Sequence, residues 1–300
     1  MYLKLHMKGN DILMSSAKKI VKSSISKIPQ LTLLFWIMKI AATTLGETGS
    51  DLVTVPGTED NYLTPFLFFV GVFAVFLTIQ LFVKKYVPSV YWTVILSTSL
   101  AGTAFSDYMD RSLGLGYMKG SLILISLLAI IFIFWYFTEP TLNVKFIETK
   151  RVEVLYWIAI LVSNTLGTAA GDFLSHKTEG VGTLAGGGSY LEQGLGLTIS
   201  QGAMLTGGLI LLILLAYWFT NLNKVFLFWL AFVLTRPFGA TFGDFLIKPQ
   251  EKGGLGLANG TQIASAILLG VLIVCIIIEY IANNSKLNKS KMNDSKIQVS

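Results

Sequence analysis

Apolar residues along this chain gather in blocks about twenty long, the length at which an α-helix crosses ~30 Å of hydrocarbon. Eight blocks read this way, at roughly 31–50, 63–83, 89–107, 117–138, 153–172, 197–219, 225–244 and 258–281. They predict an all-α fold, a polytopic membrane bundle of eight transmembrane helices, with polar residues confined to turns and tails. Residues 1–30 form a basic segment, 31–282 the membrane domain and 283–300 a polar tail. Within the basic segment, residues 11–28 read equally as an amphipathic helix lying on an anionic leaflet or as a structureless tail. The Lys-, Asn- and Ser-rich stretch from Asn283 on is expected to lack structure.

A second periodicity runs through the blocks. Trp36, Trp92, Trp157 and Trp229 precede Asp51, Asp107, Asp172 and Asp244 in turn, always at the same separation. Five positions before each aspartate stands a glycine, Gly46, Gly102, Gly167 or Gly239, and eight before it a polar side chain, Thr43, Ser99, Asn164 or Arg236. The residue just before each aspartate is small (Ser50, Ser106, Gly171, Gly243). The chain therefore reads as four tandem copies of a two-helix unit, at about 31–85, 88–146, 152–222 and 225–282. Three copies continue into a Gly-Leu-Gly element (Gly114–Gly116, Gly194–Gly196, Gly254–Gly256), and the third carries an insertion, Ser175 to Gln193, expected to be a flexible external loop.

This spacing of Trp, Gly and Asp resembles a bacterial family of uncharacterised membrane proteins defined by four tandem repeats of unknown function. The resemblance covers roughly residues 30–282. It implies two transmembrane segments and one characteristic tryptophan per repeat, and it implies no activity.

Charge sets the orientation. With the tails inside, the inner segments hold sixteen basic residues and the outer loops five. A bias of that size predicts that both termini are cytoplasmic in a bacterial inner membrane. The net charge of +6 lies mostly in the two tails, so it points to topology and not to nucleic acid. Hydrophobic residues make up 53% of the chain and charged residues 13%, about half the charge of a soluble domain, which leaves no room for one. The single cysteine, Cys275, excludes a disulfide framework, and His6 and His176 lack ligand-like neighbours. No Walker-type phosphate loop occurs, and no cofactor is expected.

Since each unit crosses twice, the four motif helices point the same way, related by an axis along the membrane normal. The aspartates fall ~22 Å beyond the tryptophans, at one depth near the outer surface. On a helix, the positions four and eight before each aspartate lie on the same side as it, so a polar strip descends on each motif helix. That strip includes Glu47 in the first copy and Arg236 in the fourth, which become neighbours if the copies close into a ring. Carboxylates and hydroxyls suit hard cations or protons, with the metal left open. The same aspartates could instead cap helices, Glu47 and Arg236 could form a structural ion pair, and Lys39 could reach the inner surface. The tryptophans read first as packing or interfacial residues, Glu279 as interfacial, and Pro237 as a kink beside Arg236. The leading expectation is a non-enzymatic transporter of a small solute, a cation or divalent metal, whose partners are the lipid bilayer and that solute. The alternatives are a non-catalytic scaffold or sensor, and a membrane enzyme using paired aspartates.

Overall fold

A computed structural model of the chain describes residues 27–53, 62–139, 142–144, 147, 149–175 and 194–299. Its helices are α1 (Leu33–Val53), α2 (Leu63–Phe82), α3 (Pro88–Asp107), α4 (Gly116–Thr138), α5 (Lys150–Ser175), α6 (Ile199–Phe219), α7 (Lys224–Ile247) and α8 (Gly260–Val299), and no strand occurs among the described residues. A π-helical turn, Tyr108–Ser112, follows α3. The basic N-terminal segment up to residue 26 and the insertion at 176–193, with His176, lie outside the described residues.

Among the described residues, six of these eight helices, α2 and α4 to α8, are long and apolar enough to cross a membrane. The chain is a membrane protein. The two that are not, α1 and α3, carry the densest hydroxyl and charged residues, such as Lys39, Thr43, Glu47 and Ser50 on α1, all of them buried. Polarity there is tolerable because protein, not lipid, surrounds these helices.

The motif helices close into a ring in the order α1, α3, α5, α7, each packed on the next and α7 back on α1. The remaining helices lie outside the ring. Of an apolar 18-residue stretch in each, 17% is buried in α2 and 72% in α5. Each outer helix packs chiefly on the motif helix of the following repeat: α2 on α3, α4 on α5, α6 on α7, and α8 on α1. The two helices of one repeat are neighbours in sequence and belong to different pairs in space. A repeat is thus complete only inside the closed ring.

Glycines set how closely the ring helices approach. A Cβ added at Gly102 would lie 2.9 Å from Asn164 Cβ and 3.0 Å from its carbonyl carbon. At Gly46 it would lie 3.1 Å from the Ser99 carbonyl carbon, at Gly167 2.9 Å from Pro237 Cδ, and at Gly239 2.8 Å from Thr43 Cβ. In every case the motif glycine of one copy receives the segment around the polar residue, eight before the aspartate, of the next copy. The rule closes on itself from the fourth copy to the first. The residue before the aspartate repeats the pattern one turn higher, with Gly171 against Ala240 and Gly243 against Glu47.

The Gly-Leu-Gly elements make the return from ring to periphery. Gly114 and Gly116 sit at φ 66° and 71°, a region that disfavours any Cβ. The leucine between donates its N–H back to the end of the motif segment: Leu195 to Phe173 O at 2.7 Å, Leu255 to Phe245 O at 2.8 Å. In the second copy the π-turn moves the acceptor one residue on, to Met109 O. At the other end, α8 continues as helix through Val299, so the expected structureless tail is instead an extension of a membrane-crossing helix. An already formed helix propagates cheaply through polar residues once its costly nucleus exists.

These contacts separate ring glycines from peripheral ones. Gly102→Ala should lower the thermal midpoint of the purified protein by an amount equivalent to ~1–3 kcal/mol, the usual cost of overpacking. Gly71→Ala and Gly270→Ala, on α2 and α8 with nothing within 4 Å, should be neutral or slightly stabilising. Equal losses at all three positions would show that the ring is not the closely packed element.

Candidate functional site

The ring has a stratified interior. At the end carrying the tryptophans, the residue before each Trp is also aromatic: Phe35, Tyr91, Tyr156 and Phe228. Each of these meets the tryptophan of a neighbouring copy, Phe35 with Trp92 at 5.5 Å, Tyr91 with Trp157 at 5.5 Å, Tyr156 with Trp229 at 6.2 Å and Phe228 with Trp36 at 5.9 Å between centroids. Eight aromatic rings thus form a cyclic layer. Three of the four tryptophans are buried; Trp36 is half-buried at the outer edge. Polar ties cross the layer. Tyr91 and Tyr156 share a 2.5 Å hydroxyl contact, Trp92 Nε1 donates to Glu279 Oε2 at 2.9 Å, and Trp229 Nε1 donates to Leu142 O at 3.0 Å. Glu279 also accepts from Tyr86 OH at 2.8 Å, so it ties α8 to the α2–α3 connection rather than standing free at an interface. Burial and the neighbouring Glu279 carboxylate push the Tyr86 hydroxyl well above its ordinary pKa.

Beyond the aromatics comes a layer twelve positions before the aspartates: Ile95, Ile160, Phe232 and Lys39. Lys39 is fully buried and does not reach the surface. Its Nζ lies 4.0 Å from the centroid of the Phe232 ring and 3.4 Å from Asn164 Oδ1. The next layer holds Thr43, Ser99, Asn164 and Arg236, all fully buried. Asn164 donates to Thr98 Oγ1 at 2.9 Å and Ser99 Oγ at 3.4 Å. Arg236 Nη1 donates to Thr43 O at 3.0 Å and to Glu47 Oε2 at 3.3 Å. Its Nη2 donates to Ser99 O at 3.3 Å and to Thr103 Oγ1. Thr103 also donates to Glu47 Oε2 at 3.3 Å. One guanidinium therefore links three of the four ring helices, and its Nε has no hydrogen-bond partner among the described residues.

The aspartates form the rim, and they stand as two couples. Arg111 lies 3.4 Å from Asp107 and 3.8 Å from Asp172. Lys248 lies 2.9 Å from Asp51 and 3.5 Å from Asp244. Both cations are four positions past the aspartate of their own copy, and each reaches across to the aspartate of the next. Burial disfavours the Arg111 charge, but Asp107 and Asp172 outweigh it and hold its pKa above the ordinary value. Asp244 does the same for Lys248, with burial opposing and Asp51 adding. In the π-turn, burial raises the Asp110 carboxyl to about 6, with the hydrogen bond from Ser106 and the Arg111 charge opposing. Its Oδ1 has no partner among the described residues.

Every motif residue singled out in the sequence thus falls in the layer of the ring that its spacing assigns. Glu47 and Arg236 meet. The aspartates do not converge on one point, and no group of three or more metal-type ligands occurs among the described residues. Three features were missed in the sequence: the aromatic before each tryptophan, the cations four positions past Asp107 and Asp244, and the anchoring of Lys27 on Glu153 at 2.6 Å. The first two were visible as offsets from the motif. The third joins residues 126 positions apart and had no local signal.

Formal charges show what this arrangement can do. Four rim carboxylates share two fixed cations, leaving two negative charges. The layers beneath hold Lys39 and Arg236 against Glu47 alone, leaving one positive charge. Glu47→Gln and Arg236→Gln should each destabilise the protein in detergent, by up to ~3–5 kcal/mol, and the double variant should recover most of that. Strictly additive losses would dissolve the pair. Asp110 gives a pH signature. Its folded pKa is raised from 3.8 to about 6, so its contribution is greatest below about pH 4 and is lost as pH rises towards 6. Melting curves across that window should fall more steeply for the wild type than for Asp110→Asn, and parallel curves would contradict the assignment.

Comparison with known proteins agrees with the fourfold geometry. No curated protein and no solved structure matches the chain. A family model described as a repeat of unknown function matches four times, over residues 34–86, 90–141, 155–223 and 227–285. Each match takes in one ring helix and the outer helix that follows it. The chain belongs to this family, the Repeat of Unknown Function (DUF347).

Proposed function

We propose that the protein is a transporter of a small cation, with all eight helices crossing the bacterial inner membrane and both tails on the cytoplasmic side. The observation that carries this reading is the buried polar column on the ring axis. Lys39, Arg236 and Glu47 sit at membrane depth, where each ionised group costs roughly 2.5–3.5 kcal/mol on insertion scales. Such groups are retained where they serve a path or a switch. The net negative rim supplies the entry, concentrating cations at the outer mouth. The aromatic layer closes the other end.

A proton or small hydrated cation fits this reading better than a tightly held divalent metal, because the rim carboxylates are split into two ion-paired couples. Within each couple a cation, and not a shared proton, stands between the two carboxylates, which argues against an aspartate-dependent enzyme of the paired-carboxylate kind. The charge bias of the loops supports the orientation.

The test is uptake by proteoliposomes carrying an internal pH dye or cation indicator. Asp107→Asn, Asp172→Asn and Asp244→Asn should each lower uptake roughly tenfold, equivalent to ~1.4 kcal/mol. Asp51, with a side chain 27% exposed against 10–14% for the others, should lose less. Four variants that insert normally and transport at the wild-type rate would overturn the reading.

A further inference from the structure

An apolar groove of about 500 Å³ runs along the outside of the α1–α7 seam, walled on its far side by α6. Its floor includes Ile40 of α1 with Ala231 and Thr235 of α7, and its wall includes Ile213 and Trp218 of α6. From Lys224 at its mouth to Thr235 at its end is eleven positions along α7, ~16 Å at ~1.5 Å rise for each. That is half of a ~30 Å hydrocarbon core, the depth of one leaflet. The groove follows the helix axes, so in a bilayer it lies parallel to the lipid chains.

Its chemistry is as directional as its shape. Among the described residues that line it, Lys224 alone is charged, and it stands at the mouth beside Tyr217 and Trp218. Aromatic and basic residues at one end of an apolar surface mark the headgroup level. The Lys224 ammonium donates to Thr220 O at 3.2 Å and to Tyr217 O, which fixes it over the last turn of α6. It also lies 4.4 Å from the centroid of the Tyr217 ring, and no carboxylate among the described residues is paired with its charge. A volume of this size lies within the range of pockets that enclose a small ligand, ~300–1,000 Å³.

We propose that this groove binds one phospholipid, an acyl chain lying along the α1–α7 seam and an anionic headgroup phosphate held by Lys224. The site is distinct from the polar column, and it rests on the bundle lying in a bilayer, not on transport. It touches the column at one place. Thr235, at the deep end of the groove, precedes Arg236, and its carbonyl accepts from Thr43 Oγ1 at 3.3 Å across the seam. A chain in the groove therefore packs against the wall behind the Arg236–Glu47 pair.

The test uses the full chain, reconstituted in mixed phosphatidylglycerol and phosphatidylcholine vesicles, re-extracted in mild detergent and weighed by native mass spectrometry. One retained phospholipid per chain is expected, with phosphatidylglycerol preferred about fivefold, the factor expected of one lysine at a charged headgroup. Lys224→Glu should abolish the preference and keep a lipid. Ile213→Trp should expel it. Phospholipid brominated on its acyl chains should also quench the wild type more than Trp218→Phe, a conservative aromatic change in the groove's wall. Retention by Ile213→Trp equal to wild type, an unchanged preference in Lys224→Glu, or equal quenching in Trp218→Phe overturns the proposal. No uptake enters these measurements, so their failure leaves the transport reading standing, and the converse holds as well.

Discussion

The approach of backbone to backbone at four glycines is the contact on which the rest of this molecule depends. Where Gly46, Gly102, Gly167 and Gly239 lack a side chain, the next ring helix comes close enough for its polar residue to occupy the notch. That contact fixes the rotation of every ring helix at once. With a helix held there, the positions one turn either side fall on the same inward strip. Hydroxyls, amide and charges are then committed to the axis, and small residues such as Gly171 and Gly243 allow the contact to continue towards the rim. Van der Waals contact and interhelical hydrogen bonds drive such association in lipid, where the hydrophobic effect offers little.

The periphery is organised by displacement. Because every outer helix packs on the ring helix of the following repeat, the covalent connections run around the ring like links, and α8 on α1 closes them. The outer helices take the lipid-facing surface and are apolar nearly all round. The ring helices they cover are relieved of that need. All four ring helices are enclosed alike, by two ring neighbours and an outer helix, and this enclosure is what permits α1 and α3 to be too polar to be recognised as spans by hydropathy.

Much of this was legible in the sequence because the repeat multiplies each weak signal by four. A single tryptophan at a given distance from an aspartate means nothing, but four such pairs, with Gly and a polar residue in register, define a face and a depth. What stayed hidden belongs to interactions between copies. The displaced pairing of outer helices leaves no trace in spacing, since α2 is the same distance in sequence from its own repeat whichever helix it packs on. Arg111 and Lys248 were legible as cations but not as partners of two aspartates each. Their reach to Asp172 and Asp51 depends on the ring being closed and, for Arg111, on the π-turn that carries it. The tail beyond Asn283 was misread because composition reports the absence of a core and says nothing of a helix already nucleated upstream.

Fourfold backbone and uneven charge are the final contrast. The aromatic and glycine layers obey the repeat almost perfectly, whereas Lys39 and Glu47 occupy their motif positions as charges only in the first copy and Arg236 only in the fourth. Packing therefore imposes the symmetry, and the charges break it at one seam. Arg236 cannot shed its proton, so its positive charge is permanent and Glu47 answers it. Lys39 finds no such answer among the described residues: an amide oxygen at 3.4 Å and an aromatic face at 4.0 Å are weaker substitutes for a carboxylate. Lys39 is therefore the charge at this seam that the ring encloses without a carboxylate among the described residues, and close packing, not pairing, is what holds it in place.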